Sequence, residues 1–209
     1  MFPLNRVYLS IFLVWLFHVS AVVGCAVGHC EWFTTKTPFN LILISLLVIS
    51  DHSTQKAYKV VIPFLVGMTA EWIGVHTGWP FGDYAYGNNL GWKGWEVPWL
   101  IGMNWLIMIY AGSAITWKTR WNKSLRALCT AVLITGIDIL IEQVAPQLDF
   151  WRFREGVVPL SNYLGWLVVS YMAAWLYLDN EQEIRPAFLG VHIFFAILFY
   201  FVCMNILLG

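Results

Sequence analysis

The sequence predicts an all-α protein, a polytopic membrane helix bundle of about seven transmembrane helices that forms one integral-membrane domain over residues 1–209. Two features of the composition lead to this fold class. Of the residues, 59% are hydrophobic and only 11% are charged, whereas about 25% are charged in a soluble globular domain. The chain also contains 13 Trp, 9 Tyr and 14 Phe, more than the anchoring of helices at the membrane interface requires.

The third observation is that the apolar residues are gathered in seven long stretches. They lie at residues 7–27, 37–50, 58–79, 97–117, 124–145, 162–178 and 187–208. The first follows Arg6 and resembles a secretion signal, but it has about the length of a transmembrane helix. The apolar part of a secretion signal has only roughly 7–15 residues. We therefore expect each stretch to be a membrane helix, the second being the shortest.

The Lys and Arg residues of the connections predict how the bundle is oriented. With seven spans, one side carries eight of these residues and the other carries four. Because cytoplasmic loops carry the excess of positive charge, the N-terminus is expected in the cytoplasm and the C-terminus outside. The eight are Arg6, Lys56, Lys59, Lys118, Arg120, Lys123, Arg126 and Arg185, and the four are Lys36, Lys93, Arg152 and Arg154.

Two connections on the predicted outer side are long and rich in aromatic residues: Pro80 to Pro98 and Pro146 to Ser161. Both combine Gly and Pro, which favour turns, with several aromatic side chains. A merely solvated loop would be poorer in Trp and Tyr. We expect both connections to be ordered, either on the membrane surface or folded over the bundle as a lid.

Cys25 and Cys30 lie on either side of His29 at the end of the first apolar stretch. As a metal site this group is weak, because the thiols do not have the spacing of paired metal ligands. A disulfide between them requires that the connection face an oxidising compartment. We predict no metal site.

Three carboxyl groups fall inside the predicted spans: Glu71, Asp138 and Glu142. An ionisable group in a membrane helix costs about 2.5–3.5 kcal/mol, so each needs a compensating role. Asp138 and Glu142 are four residues apart and share one helix face. Glu71 shares a face with Gly67 and Gly74, small residues of the kind that mark close helix contacts. All three carboxyl groups are therefore predicted to face protein rather than lipid.

Four polar side chains are predicted at a similar depth in the membrane. Glu71, Asp138, Asn104 and His18 lie seven to nine residues from the outer ends of their helices, which is roughly 10–14 Å at about 1.5 Å per residue. Glu142 lies one turn further out. Residues that only hold helices together have no reason to share a level, although that role suits Asn104 and His18 better than three acids. The sequence thus predicts a site where these groups converge.

The chemistry of this site is predicted to be acid–base. No Lys or Arg falls in these spans at that depth, and burial and like charge disfavour ionisation, so at least one carboxyl is expected to keep its proton. A neutral carboxyl in an apolar pocket can donate that proton. The net charge of zero predicts no nucleic-acid partner. These features favour acid–base work on a lipophilic substrate, such as hydration of an isolated alkene through a carbocation facing aromatic rings.

The run from Glu71 to Tyr86, EWIGVHTGWPFGDYAY, resembles the signature E-x-x-G-x-x-x-G-x-P-F-G-x-Y-x-Y of the carotenoid hydratase family. That family includes the CruF-type carotenoid 1,2-hydratases and bisanhydrobacterioruberin hydratase. The segment from Val97 to Trp105 resembles the start of the family's fourth helix. Asp138 to Glu142 resembles its D-x-x-x-D/E-P segment, except that Gln143 stands where Pro is usual. The resemblance covers roughly residues 60–178.

The resemblance implies a cofactor-independent hydro-lyase of a bacterial or archaeal cytoplasmic membrane, with membrane lipid around it. Its substrate would be a carotene like lycopene or γ-carotene, with water added across the C1=C2 double bond of an acyclic ψ-end to give a tertiary alcohol. Glu71, Asp138 and Glu142 are then the catalytic candidates. Our hypothesis is that Asp138 or Glu71 donates the proton and Glu142 orients the water. The residues implied to surround them, or to support the loops, are His18, His76, Tyr84, Tyr86, Asn104, Trp105 and Asp149.

Two alternatives stay open from the sequence. A proton-coupled transporter or channel would also bury carboxyl groups, but it would need polar residues that continue to the cytoplasmic side. The segments Val60 to Val66, Leu106 to Ile109 and Leu128 to Leu133 are nearly all apolar. A non-catalytic carotenoid- or lipid-binding protein would need the aromatic residues but not three acids.

Overall fold

The computed structural model describes residues 4–52, 57–179 and 187–209. This part of the chain is mostly helical, in agreement with the predicted all-α class. The helices are α1 (Leu4–Ala26), α2 (Cys30–Thr34), α3 (Thr37–Asp51), α4 (Val61–Thr77), α5 (Trp99–Ile115), α6 (Lys123–Val144), α7 (Leu160–Tyr177) and α8 (Phe188–Leu208). A 3-10 turn, Ala57–Val60, leads into α4. Each of the seven predicted stretches coincides with one of the long helices.

Four helical segments of the described chain are long and apolar enough to cross a membrane. They are Arg6–Ala26, Tyr58–Thr77, Lys123–Val144 and Phe188–Leu208. Helices α3 and α5 are apolar but shorter, and α7, which contains Ser161, Asn162 and Ser170, is not among the four. A membrane protein is therefore supported, while the count of seven spans and the cytoplasmic N-terminus stay predictions.

Helix α5 lies at the centre of the bundle and packs against α3, α4, α6 and α8. Every residue from Trp105 to Gly112 is buried, as expected of a helix that is apolar on all sides. Helix α6 packs mainly on α7, and α1 packs on α8. In this part of α5 a side chain is consequently inside the protein in whichever direction it points, and this places the Trp105 indole in the interior.

The contact of α4 with its neighbours depends on two glycines that flank Glu71. A Cβ added at Gly67 would lie 2.1 Å from the Trp105 ring, and one added at Gly74 would lie 2.8 Å from the Tyr84 hydroxyl. A real Cβ does not come so close to another heavy atom, so glycine is what lets these two aromatic side chains reach the helix. The glycine face of α4 therefore contacts protein, as the sequence predicted.

The two aromatic-rich connections are ordered and pair with each other. They contain the short strands β1 (Tyr84–Tyr86), β2 (Lys93–Gly94), β3 (Val97–Pro98) and β4 (Trp151–Phe153). Strand β1 pairs antiparallel with β4, and β2 pairs antiparallel with β3. Alternate residues of a strand point to the same face, so Tyr84 and Tyr86 are both buried and Ala85 is exposed. The sequence predicted helices alone, because strands this short have too few residues to show a period.

Glycine also sets the turn that brings β1 back over α4. Gly78 follows the last residue of α4 with φ 72°, and its N–H donates to the Gly74 carbonyl at 2.8 Å. This left-handed conformation is a common helix end that glycine adopts without penalty. The chain then reverses through a cis Trp79–Pro80 bond and returns toward Glu71.

At the end of the bundle opposite to β1 and β4, charged groups connect the start of α4, the start of α6 and the end of α7. Lys59 forms an ion pair with Asp179, and Arg126 donates a hydrogen bond to the Asp179 backbone carbonyl at 2.6 Å. Lys59 and Arg126 therefore lie at one end of the bundle, as the predicted orientation requires. Lys56 and Arg185, which contributed to that prediction, lie outside the described residues.

At the other end, a disulfide joins Cys25 and Cys30 across the turn between α1 and α2. The sequence left this pairing open. The bond is compatible with the predicted placement of that turn on the outer side, where an oxidising compartment would be needed.

We expect Gly67→Ala to lower the free energy of unfolding by about 1–3 kcal/mol, because overpacking forces a buried neighbour out of its place. Thermal unfolding in detergent measures the change. Gly136→Ala in α6 is the matched control, since an added Cβ there meets no atom within 4 Å. Equal losses in the two variants would contradict the close approach of Trp105 to α4.

Candidate active site

Glu71 is a buried carboxyl group that accepts three hydrogen bonds. Its Oε2 accepts from the Tyr84 and Tyr86 hydroxyls, both at 2.5 Å, and its Oε1 accepts from the Trp105 indole N–H at 2.9 Å. The side chain of Glu71 comes from α4, and its donors come from β1 and α5. A buried polar group is costly unless it is hydrogen-bonded, so these three segments are held together at one carboxyl.

Asp138 and Glu142 of α6 are both held by one amide of α7. Nδ2 of Asn162 donates to Asp138 Oδ2 at 3.1 Å and to Glu142 Oε1 at 2.8 Å. Oε2 of Glu142 also accepts from the Trp151 indole N–H, at 2.9 Å. Oδ1 of Asp138 is buried and has no hydrogen-bond partner within the described ranges. The two acids thus share a face, as predicted, and have fewer donors than Glu71.

Glu71 and Glu142 line the same small cavity, with a volume of about 10 Å³. This is about the space that one water molecule needs. The other lining residues are mostly aromatic: Phe81, Tyr84, Tyr86, Ile101, Trp151, Phe153, Asn162 and Trp166. Acids from two helices therefore meet at a space walled by rings. Asp138, one turn below Glu142, is not among the residues that line it.

Stacked and tilted rings hold the wall of this cavity in place. Trp105 of α5 stacks on Trp166 of α7, with ring centroids 4.3 Å apart and planes 15° apart. Phe81 lies 6.4 Å from the Trp105 ring and 6.3 Å from the Trp166 ring. Aromatic faces carry negative electrostatic potential and attract a cation. The site can thus stabilise a positive charge that forms beside Glu71.

The two tyrosines of β1 remain hydrogen-bond donors at neutral pH. Burial, with the nearby Glu71 charge adding to it, raises the pKa of Tyr84 and of Tyr86 well above the ordinary value. A higher pKa means that the phenol keeps its proton. Both hydroxyls therefore have a hydrogen to donate to Glu71.

The structure separates His18 and Asn104 from the acids. Both line a larger cavity of about 370 Å³ on the other side of Ile101 and Trp151. Similar depth in the membrane did not imply contact, because these two side chains point to a different part of the bundle.

His76 and Asp149, predicted near the site, have other positions. His76 is exposed, and its Nδ1 lies 2.8 Å from the Trp72 backbone oxygen. Five residues after Glu71, it points away because five steps of about 100° leave it well off that helix face. Asp149 supports the loops instead, since its Oδ2 accepts from the Asn88 backbone N–H at 2.9 Å.

Asn162, Trp151 and Trp166 belong to the site but were not predicted from the sequence. Asn162 lies in the first turn of α7, where asparagine is ordinarily interpreted as a capping or loop residue. Trp151 and Trp166 were part of the aromatic excess, which does not say which rings converge. The one available signal was that excess in the connection that contains Trp151.

The chain matches the family model described as "Carotenoid biosynthesis protein" over residues 34–209. It belongs to this family. The match includes the acid site and leaves out α1, and it confirms the resemblance seen between Glu71 and Tyr86.

One curated relative of this carotenoid biosynthesis protein is the bisanhydrobacterioruberin hydratase of Haloarcula japonica. The two are 28% identical over an alignment of 120 residues, which covers 51% of this chain and 39% of the relative. The matched part is therefore well under two thirds of the relative's length. No solved structure matches the chain.

We expect Asn162→Ala to lower the free energy of unfolding by about 1–3 kcal/mol, because it leaves buried carboxyl oxygens without a donor. Thermal unfolding of the purified protein in detergent tests this. Asn104→Ala is the control, since that amide lines the other cavity. The bridging role of Asn162 would be wrong if both variants unfolded at the same temperature.

Proposed function

We propose that this carotenoid biosynthesis protein is a hydratase. As a hydro-lyase, it adds water to the terminal C1=C2 double bond of an acyclic carotene ψ-end and forms a tertiary alcohol. The observation that carries the proposal is the pair Glu71 and Glu142, which line one aromatic-walled cavity inside the bundle. The name of the curated relative, a hydratase, supports the same reaction class.

The proton comes from the Asp138–Glu142 pair. Both carboxyls accept from the single amide of Asn162, and neither forms an ion pair with any described Lys or Arg. Two ionised groups here would be uncompensated like charges in apolar surroundings. One proton is therefore held by the pair, and Glu142, which lines the cavity, transfers it to C2 of the alkene. This role differs from the water-orienting one first assigned to Glu142.

Glu71 is the base. The Trp105 indole can only donate a hydrogen bond, and with both tyrosine hydroxyls it supplies three donors, which favour the carboxylate form. Protonation of C2 leaves a tertiary cation at C1, and the carboxylate stabilises it. Water then forms the C1–O bond and gives a proton to Glu71. Return of that proton to the Asp138–Glu142 pair leaves a net addition of one water, with no redox change.

The aromatic wall contributes in two ways. The faces of Phe81 and Trp166, which line the cavity, attract the positive charge at C1. Their packing also limits the space near the acids to about that of one water. A carbocation formed next to these acids therefore has one water molecule as its nucleophile.

The proton-relay alternative is less well supported by the interior of the bundle. Between Trp105 and Tyr110, α5 buries Leu106, Ile107, Met108 and Ile109. A relay to the inner side would need polar groups in this interval. Along α5, the interval between the acid site and Tyr110 is therefore apolar.

Cells that make lycopene and express this chain are expected to accumulate a product heavier by one water. Glu71→Gln, Glu142→Gln and Asp138→Asn should each reduce its yield by about 10²–10⁴-fold, the usual range for loss of acid–base catalysis. Chromatography with mass spectrometry measures the product, and immunoblotting measures the protein. Glu155→Gln is the control, because Glu155 is exposed. An unchanged pigment profile beside a well-folded wild-type protein would refute hydration.

The hydroxyl oxygen of the product is expected to come from solvent, because the proposed nucleophile is water. Purified protein supplied with lycopene in oxygen-labelled water should give a labelled product without added cofactor. Incubation in unlabelled water under labelled oxygen gas should give an unlabelled product. Label from the gas would instead identify an oxygen-dependent hydroxylation.

A further inference from the structure

The acid site is too small, as it stands, to hold the substrate. Its cavity of about 10 Å³ admits one water molecule and no isoprenoid end group. The neighbouring cavity of about 370 Å³, called the chamber below, is within the range of about 300–1,000 Å³ that is typical of small-molecule sites. Most of its lining is apolar, and examples are Phe17, Leu41, Ile44, Met108 and Phe201.

The chamber and the acid site share a wall. Ile101 of α5 and Trp151 of β4 line both cavities. The indole N–H of Trp151 donates to Glu142 at 2.9 Å, so the wall itself contacts the acid that donates the proton. Displacement of these two side chains would join the chamber to the Glu71–Glu142 cavity.

The chamber also reaches the surface of the bundle at mid-membrane depth. Phe17, one of its lining residues, is 42% exposed. It lies nine residues before Ala26, the last residue of α1, which is about 14 Å along the helix at about 1.5 Å per residue. A surface at that depth on a membrane helix faces acyl chains, where a carotene is dissolved.

A minority of the residues lining the chamber are polar, the cationic Lys36 among them, and such groups can keep water available. His18, Asn40 and Asn104 line it, and Oδ1 of Asn40 is buried with no partner among the described residues. Buried polar atoms of this kind are ordinarily satisfied by bound water. An apolar chain occupying the chamber would thus have the second reactant beside it.

We propose that the chamber is the binding site for the hydrocarbon chain of an acyclic isoprenoid. The chain enters sideways from the bilayer past Phe17 and lies against α1, α3, α5 and α8. Its end group reaches the acids when Ile101 and Trp151 move apart. This inference rests on the proposed function, because it assigns the substrate of that reaction to a second cavity.

The test measures binding separately from turnover. All variants carry Glu71→Gln, so that lycopene is not consumed, and full-length protein is purified from lycopene-making cells. Ala21→Trp places a large side chain into the chamber, which Ala21 lines. Val23→Trp is the matched control on the same helix, since Val23 is 54% exposed and is not a lining residue. Ser20→Phe, another lining position, is the second filling variant in case Ala21→Trp does not accumulate.

Lycopene retained per protein, measured by absorbance, is expected to fall at least tenfold in the filled variants and to be unchanged in Val23→Trp. Gel filtration in detergent shows that the compared proteins are folded. Equal retention in folded Ala21→Trp and Val23→Trp would overturn the chamber as the binding site. If retention falls as expected but wild-type protein yields no hydrated product, the chamber stands and the hydratase proposal fails. If Ala21→Trp with Glu71 restored hydrates lycopene at the wild-type rate, the chamber fails and the hydratase proposal stands.

Discussion

A carboxyl group inside a membrane bundle has to obtain its hydrogen bonds from the protein, because bulk water does not reach it. Glu71 obtains them from Trp105 on α5 and from the two tyrosines of β1. Trp105 and Tyr84 reach it only because Gly67 and Gly74 leave space on either side along α4. The position of the central helix and of the β1–β4 ribbon relative to α4 is therefore tied to one carboxyl group.

The acids differ in how many hydrogen-bond donors surround them, and this difference assigns the roles of proton donor and base in the proposed reaction. Three donors serve Glu71, whereas Asp138 and Glu142 share one amide, and Glu142 alone also accepts from an indole. Environments that treat two acids unequally are how proteins separate an acid from a base at one pH. Asn162 is thus as informative about the chemistry as the carboxyls that it joins.

Features that depend on helix period and on lipid as solvent were predictable from the sequence. Glu71 with its glycine face and the Asp138–Glu142 spacing belong to this kind, and so do the seven helical stretches. Features that depend on contact between segments distant in the sequence were not predictable. Asn162 has no feature in the sequence that relates it to α6, and the pairing of β1 with β4 joins connections more than sixty residues apart. Depth alone also did not separate the two cavities, since His18 and Glu71 are predicted at a similar level but line different ones.

The order of the segments along the chain also constrains how the protein is inserted into the membrane during translation. Helix α4 leaves the ribosome before Trp105 exists, and β4, which secures the tyrosine strand, comes only after α6. During that interval the Glu71 side chain lacks part of its final hydrogen bonding, at a cost of about 2.5–3.5 kcal/mol for an ionisable group in a membrane helix. The insertion machinery therefore has to insert α4 before all the hydrogen-bond donors to Glu71 have been translated. The packing that holds these donors is complete only when β4, the partner strand of β1, has been translated.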